Sequence, residues 1–70
     1  RSGADGLHFV RPLLRDAPKL LRPGGMLMIE LAMSTADEAL ELARGIPTLR
    51  DAEILEDFEG LPRVISARRV

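Results

Sequence analysis

The sequence predicts a single small α/β unit with the element order helix, strand, helix, strand, strand. Two segments carry apolar residues three and four positions apart, which is the spacing of amphipathic helices. A continuous apolar run lies between them, and two β-type runs separated by a short turn follow. Chains of this length bury only about 60% of their unfolded surface, so we expect a partner surface to contribute to stability.

The charge and cysteine content exclude several functional classes. Ten basic and eleven acidic residues give a net charge of −1, which provides no general attraction for nucleic acid or anionic membranes. With no cysteine and one histidine, the chain cannot form a disulfide framework, a thiolate zinc site or a histidine metal cluster. The composition fits a cytoplasmic protein, and the longest apolar run, 26–29, is far too short to cross a membrane.

The first helix is predicted over about residues 6–21, with Asp5 as its N-terminal cap. Two prolines interrupt this pattern, because Pro12 and Pro18 cannot donate the backbone hydrogen bond of an interior helical position. A kinked or segmented helix is therefore expected. The apolar stripe consists of Leu7, Val10, Leu14, Ala17 and Leu21.

A breaker and a buried strand follow this helix. The segment Arg22-Pro23-Gly24-Gly25 stops the helix and supplies glycines that tolerate positive φ. The run 26–29 predicts a strand that is apolar on both faces, as in a central strand covered by helices on both sides. Met26 and Met28, two residues apart, are expected on one face as core-filling residues. A further helical turn is disfavoured here because Pro-Gly-Gly precedes the run.

The second helix is predicted to begin at Thr35, since Thr35 and Glu38 have the spacing of a capping box. Gly45 should end it, after Arg44. Its buried stripe is Ala36, Ala39, Leu40 and Ala43.

The final elements predict an antiparallel hairpin. Strands over 52–56 and 63–68 are joined by 57–62, and a connection this short cannot contain a crossover helix. The two strands must therefore pair antiparallel.

Several of these segments carry motifs that resemble the last third of class I S-adenosylmethionine-dependent methyltransferases, most closely the release factor glutamine methyltransferase (HemK-type) family. The matching motifs are Asp5-Gly6-Leu7, Leu13-Leu14, Ala17-Pro18, Leu21-Arg22-Pro23-Gly24-Gly25, Ile29-Glu30, Glu56-Asp57-Phe58-Glu59-Gly60 and Arg63-Val64. The segment that follows Glu30 lacks the glycine and glutamine that the family usually has there. The resemblance extends over nearly the whole chain.

The resemblance implies a partial Rossmann-like methyltransferase sheet, with three strands in a mixed arrangement and a C-terminal antiparallel hairpin whose last strand is inserted between the other two. Residues 1–70 would then be one C-terminal fragment of a methyltransferase domain. The intact enzyme would use S-adenosylmethionine to methylate a glutamine amide of a release factor. The family's glycine-rich cofactor loop and Asn-Pro-Pro-Tyr motif lie upstream, so we expect no cofactor site, catalytic residue or metal site in these residues alone.

The candidate functional residues are one residue at the end of a strand and two turns. Glu30 ends the predicted central strand, and open α/β sheets bind ligands at the carboxyl ends of their strands. Its side chain is predicted either to line the substrate side of the site or to be an ordinary solvated carboxylate. The structural turns are Pro23, Gly24 and Gly25, and Asp57, Gly60 and Arg63. An ion pair between Asp57 and Arg63 is expected to brace the hairpin. The Gly24-Gly25 pair does not predict a phosphate loop, because it follows a helix and precedes a strand.

The partners predicted on this basis are the rest of the methyltransferase domain and the release factor. A basic end formed by Arg63, Arg68 and Arg69 lacks interleaved aromatic residues and is a weak signal for nucleic acid. The alternative function is a non-catalytic interaction module, which would self-associate through the unpaired edge of the strand 26–29.

Overall fold

A computed structural model describes residues 7–70, so the predicted helix start at residue 6 and the cap at Asp5 lie outside the described residues. The helices are α1 (Val10–Asp16) and α2 (Ala36–Arg44), the strands are β1 (Met26–Glu30), β2 (Leu49–Glu56) and β3 (Pro62–Arg69), and two 3₁₀ turns span Ala17–Leu20 and Met33–Thr35. The predicted element order is confirmed.

The predicted segmentation of the first helix is also confirmed, but the predicted range is too long at its start, since residues 7–9 are not helical and α1 begins at Val10. Pro12 is the third residue of α1, where an N–H group has no partner within the helix, so the proline removes no hydrogen bond between residues of α1. Pro18 lies in the first turn of the 3₁₀ segment that continues α1. Each proline therefore occupies a tolerated position, and the change from α to 3₁₀ geometry between them accommodates both.

The second helix begins where expected, but the capping box does not form. The Thr35 hydroxyl donates a hydrogen bond of 3.0 Å to the carbonyl oxygen of Ala32, and its side chain makes no cap bond to α2. The reason is local, because Thr35 ends a 3₁₀ turn that precedes α2 and its hydroxyl bonds back into that turn. The helix ends at Arg44, with Gly45 after it as predicted.

The three strands are arranged in the order β1, β3, β2, and both pairings are antiparallel. Ile65 of β3 lies opposite Ile29 of β1 and Ile54 of β2, which places three isoleucines in a row across the sheet. The hairpin and the insertion of its second strand are confirmed. The run 26–29 was predicted to be a central strand, but in this sheet β1 is an outer strand and β3 is the central one. The mixed pairing was a wrong prediction, because β3 separates β1 from β2, the two strands that run in the same direction.

The hairpin is longer than its sequence pattern indicated. The first strand starts at Leu49 and contains a register shift between Arg50 and Glu53, where Asp51 has a φ of 56°. This β-bulge disrupts the alternation of polar and apolar residues, which concealed the first three residues of the strand. Because Glu56 already pairs with Pro62, the connecting turn has the five residues 57–61 rather than six.

Both helices cover the same face of the sheet, so the core has one sheet face and one helical layer. Its fully or nearly buried apolar residues are Leu7, Val10, Leu14, Ala39, Ala43, Leu49, Ile65 and Ala67. The prediction that Met26 and Met28 fill the core is wrong, since these side chains are 46% and 56% exposed on the opposite face. Alternation in the register assigns Met26, Met28, Glu30, Glu53, Leu55, Val64, Ser66 and Arg68 to this open face.

Candidate functional site

The predicted site residues separate to opposite ends of the sheet. Glu30 ends β1 and pairs with Val64, and the next residue, Leu31, donates a backbone hydrogen bond of 2.8 Å to the Arg63 carbonyl oxygen. The carboxyl end of β1 therefore adjoins the hairpin turn. We call this region, formed by Glu30, Glu56, the turn 57–61 and Arg63, the carboxyl edge.

The Asp57 carboxylate organises the hairpin turn. One oxygen, Oδ1, accepts hydrogen bonds from the backbone N–H groups of Glu59, at 2.8 Å, and Leu61, at 3.0 Å. The other, Oδ2, accepts a bond of 2.7 Å from Nε of Arg63, which is the ion pair expected from the sequence. Gly60 has a φ of +79°, a conformation that glycine adopts without strain.

These bonds also fix the charge of Asp57. The hydrogen bond from Arg63 holds the pKa of the Asp57 carboxyl below its ordinary value, and the backbone bonds from Leu61 and Glu59 lower that pKa further. The carboxyl, like any Asp side chain, is ionised at neutral pH, and its lowered pKa keeps it ionised at more acidic pH than usual, so its oxygens act as acceptors within the turn. Such a carboxylate suits bracing of the turn better than proton transfer, because a general acid or base needs a pKa near the working pH.

The carboxyl edge exposes acidic and apolar side chains. Glu30, Glu56 and Glu59 are exposed, and Glu30 lies on the open face of the sheet. Phe58 extends from the turn into solvent with a relative exposure of 110%, and Met33 is 46% exposed in the segment that follows β1. Phe58 was not among the predicted site residues, although an aromatic side chain within a predicted turn was a usable signal.

The Pro-Gly-Gly turn lies at the opposite end of the sheet. The Gly25 N–H donates a 2.9 Å bond to the Arg22 carbonyl, which closes a four-residue turn with Pro23 second and Gly24 third. Gly24 has a φ of +83°, the geometry that the third position of a type II turn requires. At Gly25 an added Cβ would lie 2.9 Å from the Arg22 carbonyl oxygen, so both glycines are needed for this turn.

The backbone of this turn is already engaged by the end of β3. The Gly24 N–H donates to the Arg69 carbonyl, and the Arg69 N–H donates to the Gly25 carbonyl, both at 2.8 Å. The guanidinium of Arg68 donates to the Gly24 carbonyl at 3.0 Å, and that of Arg69 donates to the Leu21 carbonyl at 2.7 Å. The two arginines therefore have partners within the chain.

The hydrogen bonds of the glycine N–H groups show whether this turn could bind the implied cofactor, S-adenosylmethionine. A glycine-rich ligand loop presents free N–H groups to its ligand, often at the start of a helix. In this turn the N–H groups of Gly24 and Gly25 both donate within the chain, and a strand follows. The turn does not fit S-adenosylmethionine or a phosphate group.

Two adjoining surface depressions lie on the helical layer rather than at the strand ends. Each has a volume of about 410 Å³, and they share Arg11, Glu41 and Leu42. Within residues 7–70, no three His, Cys, Asp or Glu side chains are placed to hold a metal ion. The described part of the chain also contains no helix that is long and apolar enough to cross a membrane.

Curated proteins with similar sequences are named release factor glutamine methyltransferase. The chain is 39% identical to the protein of Moorella thermoacetica over 67 residues, which is 96% of this chain and 24% of that protein. It is 40% identical to the Cereibacter sphaeroides protein over 68 residues, and 36% identical to the Synechocystis protein over 66 residues, each alignment covering 94% of this chain. These alignments cover 23% and 22% of the two relatives.

The chain thus spans about a quarter of the length of these relatives and aligns with their C-terminal portions. This confirms the resemblance to the C-terminal part of a release factor glutamine methyltransferase. No protein-family model matches the chain, and no solved structure matches it significantly.

Proposed function

We propose that these residues form the C-terminal part of the catalytic domain of a release factor glutamine methyltransferase, in which they complete the sheet and wall one side of the active-site crevice. The observation that carries this proposal is the strand order β1, β3, β2 with β3 antiparallel to both neighbours. It is the arrangement that the resemblance implies for the fifth, seventh and sixth strands of such a domain. The alignment over nearly the whole chain supports the same assignment.

The intact protein would transfer a methyl group to the side-chain amide of a glutamine in a release factor. S-adenosylmethionine supplies the methyl group in this reaction. Because the Gly24-Gly25 turn does not fit the cofactor, we assign cofactor binding and the gripping of the glutamine amide to residues outside this chain. The chain contributes orientation of the reactants, which can account for a large part of an enzymatic rate enhancement.

Glu30 is the proposed link between the scaffold and the reaction. It lies at the carboxyl end of β1, and open α/β sheets bind ligands in the crevice outside the carboxyl ends of their strands. The exposed carboxylate would form part of the substrate-side wall of that crevice. The turn braced by Asp57 and Arg63 holds the neighbouring hairpin in place beside it.

Two surfaces of the unit fit the rest of a methyltransferase domain. The first strand, β1, is an edge strand in the order β1, β3, β2 and can pair with one further strand. On the open face, the exposed Met26 and Met28 provide apolar area that a covering helix would bury. Both surfaces would be covered when residues outside this chain fold against it.

Isothermal titration with S-adenosylmethionine tests this proposal. We expect the 70-residue chain to give no binding heat at micromolar concentrations, and the intact protein that contains it to bind the cofactor and methylate a purified release factor. Micromolar binding by the chain alone would contradict the assignment of the cofactor site to other residues. An intact protein that binds cofactor but methylates no release factor would contradict the proposed substrate.

Self-association is a second candidate function, favoured by the exposed methionines on β1, whose outer edge pairs with no strand within residues 7–70. Two copies could pair through their β1 edges, which would form one continuous sheet with the exposed methionines of both copies side by side on one surface. Sedimentation equilibrium of the chain should then show a dimer that Met28→Lys dissociates. The matched control is Leu20→Lys, since Leu20 is 89% exposed outside the sheet. A stable monomer at micromolar concentration would exclude this candidate.

A further inference from the structure

We propose that the hairpin turn 57–61 is a docking point for the protein substrate, with Phe58 as the apolar anchor and the surrounding carboxylates as the charged rim. The segment that it recognises carries an apolar side chain next to lysine or arginine. This inference rests on the proposed function, because it assigns the turn to the substrate side of that same site.

The first supporting observation is the way in which Phe58 is held. Single exposed apolar residues are common on protein surfaces and need no explanation by themselves. Phe58, however, extends from a turn closed by the Asp57 N–H to Leu61 carbonyl bond of 2.9 Å and by the Gly60 N–H to Asp57 carbonyl bond of 3.0 Å. The three bonds to the Asp57 carboxylate add to this closure. Because the backbone of the turn is already ordered, binding at Phe58 does not include the entropy cost of ordering a loop.

The second observation is the location of the turn. It joins β2 to β3 at the carboxyl edge, beside the end of β1, to which it is connected through the Leu31 N–H bond to the Arg63 carbonyl. In open α/β sheets this edge borders the ligand crevice. A substrate that enters the crevice at Glu30 therefore passes close to the turn. Aromatic side chains, phenylalanine included, are enriched in protein–protein interfaces relative to the rest of the protein surface.

The third observation is the local charge. Glu30, Glu56, Asp57 and Glu59 contribute four carboxylates to the carboxyl edge, against the single guanidinium of Arg63. This surplus disfavours nucleic acid, an anionic membrane and the same edge of a second copy, because each would bring like charge. A basic polypeptide is the complementary partner, and the exposed Phe58 adds the requirement for an apolar side chain beside the basic one.

The test uses the intact protein that contains this chain, with a purified release factor as methyl acceptor. Phe58→Ala should raise the KM for the release factor about tenfold, which corresponds to a loss of about 1.4 kcal/mol of binding free energy. The kcat and the affinity for S-adenosylmethionine should not change, because the proposal gives Phe58 no contact with the cofactor or with the reacting glutamine. Leu20→Ala is the matched control, since it removes an exposed apolar side chain from outside the carboxyl edge.

A second variant tests the charged rim. Glu59→Lys should also raise the KM for the release factor, and the increase should be larger at low than at high ionic strength, because salt screens exposed charges. Neither Phe58 nor Glu59 is buried, so both variants should retain the melting temperature of the unsubstituted protein.

The outcomes separate the two proposals. An intact protein that methylates the release factor with unchanged KM in both variants overturns the docking point and leaves the proposed function intact. A fall in the melting temperature of Phe58→Ala without a rise in KM also overturns it, because Phe58 would then pack inside the intact domain. An intact protein that methylates no release factor overturns the proposed function, and the docking point with it.

Discussion

The Arg69 guanidinium donates a 2.7 Å hydrogen bond from Nη1 to the backbone carbonyl oxygen of Leu21, a residue 48 positions earlier in the chain. This bond connects the end of β3 to the start of the Pro-Gly-Gly turn. The backbone bonds between Arg69 and the two glycines reinforce the connection. The turn that leads into β1 is therefore held in place by the last strand of the sheet.

Loss of the Arg69 guanidinium should destabilise the fold. Arg69→Met keeps the aliphatic stem but removes the donor, so the Leu21 carbonyl loses its partner and the free energy of unfolding should fall by about 1 to 2 kcal/mol. Urea denaturation of the chain measures this change. Arg22→Met, at an exposed position of the same turn, is the control and should change stability by no more than about 0.5 kcal/mol. Equal effects of the two substitutions would contradict a role for the Arg69 bond.

The two turn glycines should be less tolerant of alanine than the glycine after α2. Gly24→Ala places a Cβ at a φ of +83° and should cost about 1 to 2 kcal/mol. Gly45→Ala is the control, because Gly45 has a φ of −86° and its added Cβ would lie 3.5 Å from the Leu42 carbonyl oxygen, an ordinary contact. Thermal unfolding should show a lower melting temperature for Gly24→Ala alone. A similar loss at Gly45 would show that the positive φ is not the cause.

The Asp57 carboxyl should make stability dependent on acid pH. Its pKa is lowered in the folded state from an ordinary value of 3.8, so its contribution is fully present above that value and is lost as the pH falls through the lower, folded-state pKa. Asp57→Asn should therefore reduce stability at neutral pH, and the difference from the unsubstituted chain should shrink as the pH falls through this window. Urea denaturation at a series of pH values measures the difference.

The cause of that shift can be tested separately by NMR titration of the Asp57 carboxyl carbon. Arg63→Gln removes the largest contribution, so the pKa of Asp57 should rise toward its ordinary value. Arg50→Gln is the control. The Arg50 guanidinium bonds to Asp51, so its removal should leave the pKa of Asp57 unchanged. An unchanged pKa in Arg63→Gln would assign the shift to the backbone donors of the turn.

The helix α1 should tolerate substitution on its solvent-exposed side but not on the side that faces the sheet. Leu14 is 1% exposed whereas its neighbour Leu13 is 45% exposed, so the two provide a matched pair in α1. Leu14→Ala should cost about 2 to 5 kcal/mol, enough to unfold a chain of this size, because it removes buried apolar area and leaves a cavity. Leu13→Ala should leave the circular dichroism spectrum and melting temperature close to those of the unsubstituted chain. Comparable losses at both positions would contradict the one-sided core.

Local signals in the sequence were sufficient for much of this fold. The prolines predicted a segmented first helix, and the short connection after Glu56 predicted an antiparallel hairpin. These predictions succeed because proline geometry and short connections act over a few residues. The ion pair between Asp57 and Arg63 belongs to the same group, since its two residues flank one turn.

The features that were missed depend on residues distant in sequence. Met26 and Met28 read as core residues because a continuous apolar run does not reveal whether one or two faces are covered. The engagement of the glycine turn by Arg68 and Arg69 depends on strand register, which local patterns do not contain. In the same way, the bulge at Asp51 hid the start of β2, and the exposure of Phe58 required the three-dimensional turn.

The order of the strands has a consequence for biosynthesis. The central strand, β3, is the last of the three to be synthesised, and β1 and β2 have no pairing with each other. The sheet therefore cannot assemble until the ribosome has released the segment 62–69, and until then both outer strands lack their partner. Because contacts that connect distant segments form slowly, the pairing of β1 with β3 should be completed only after the whole segment 26–69 has been synthesised.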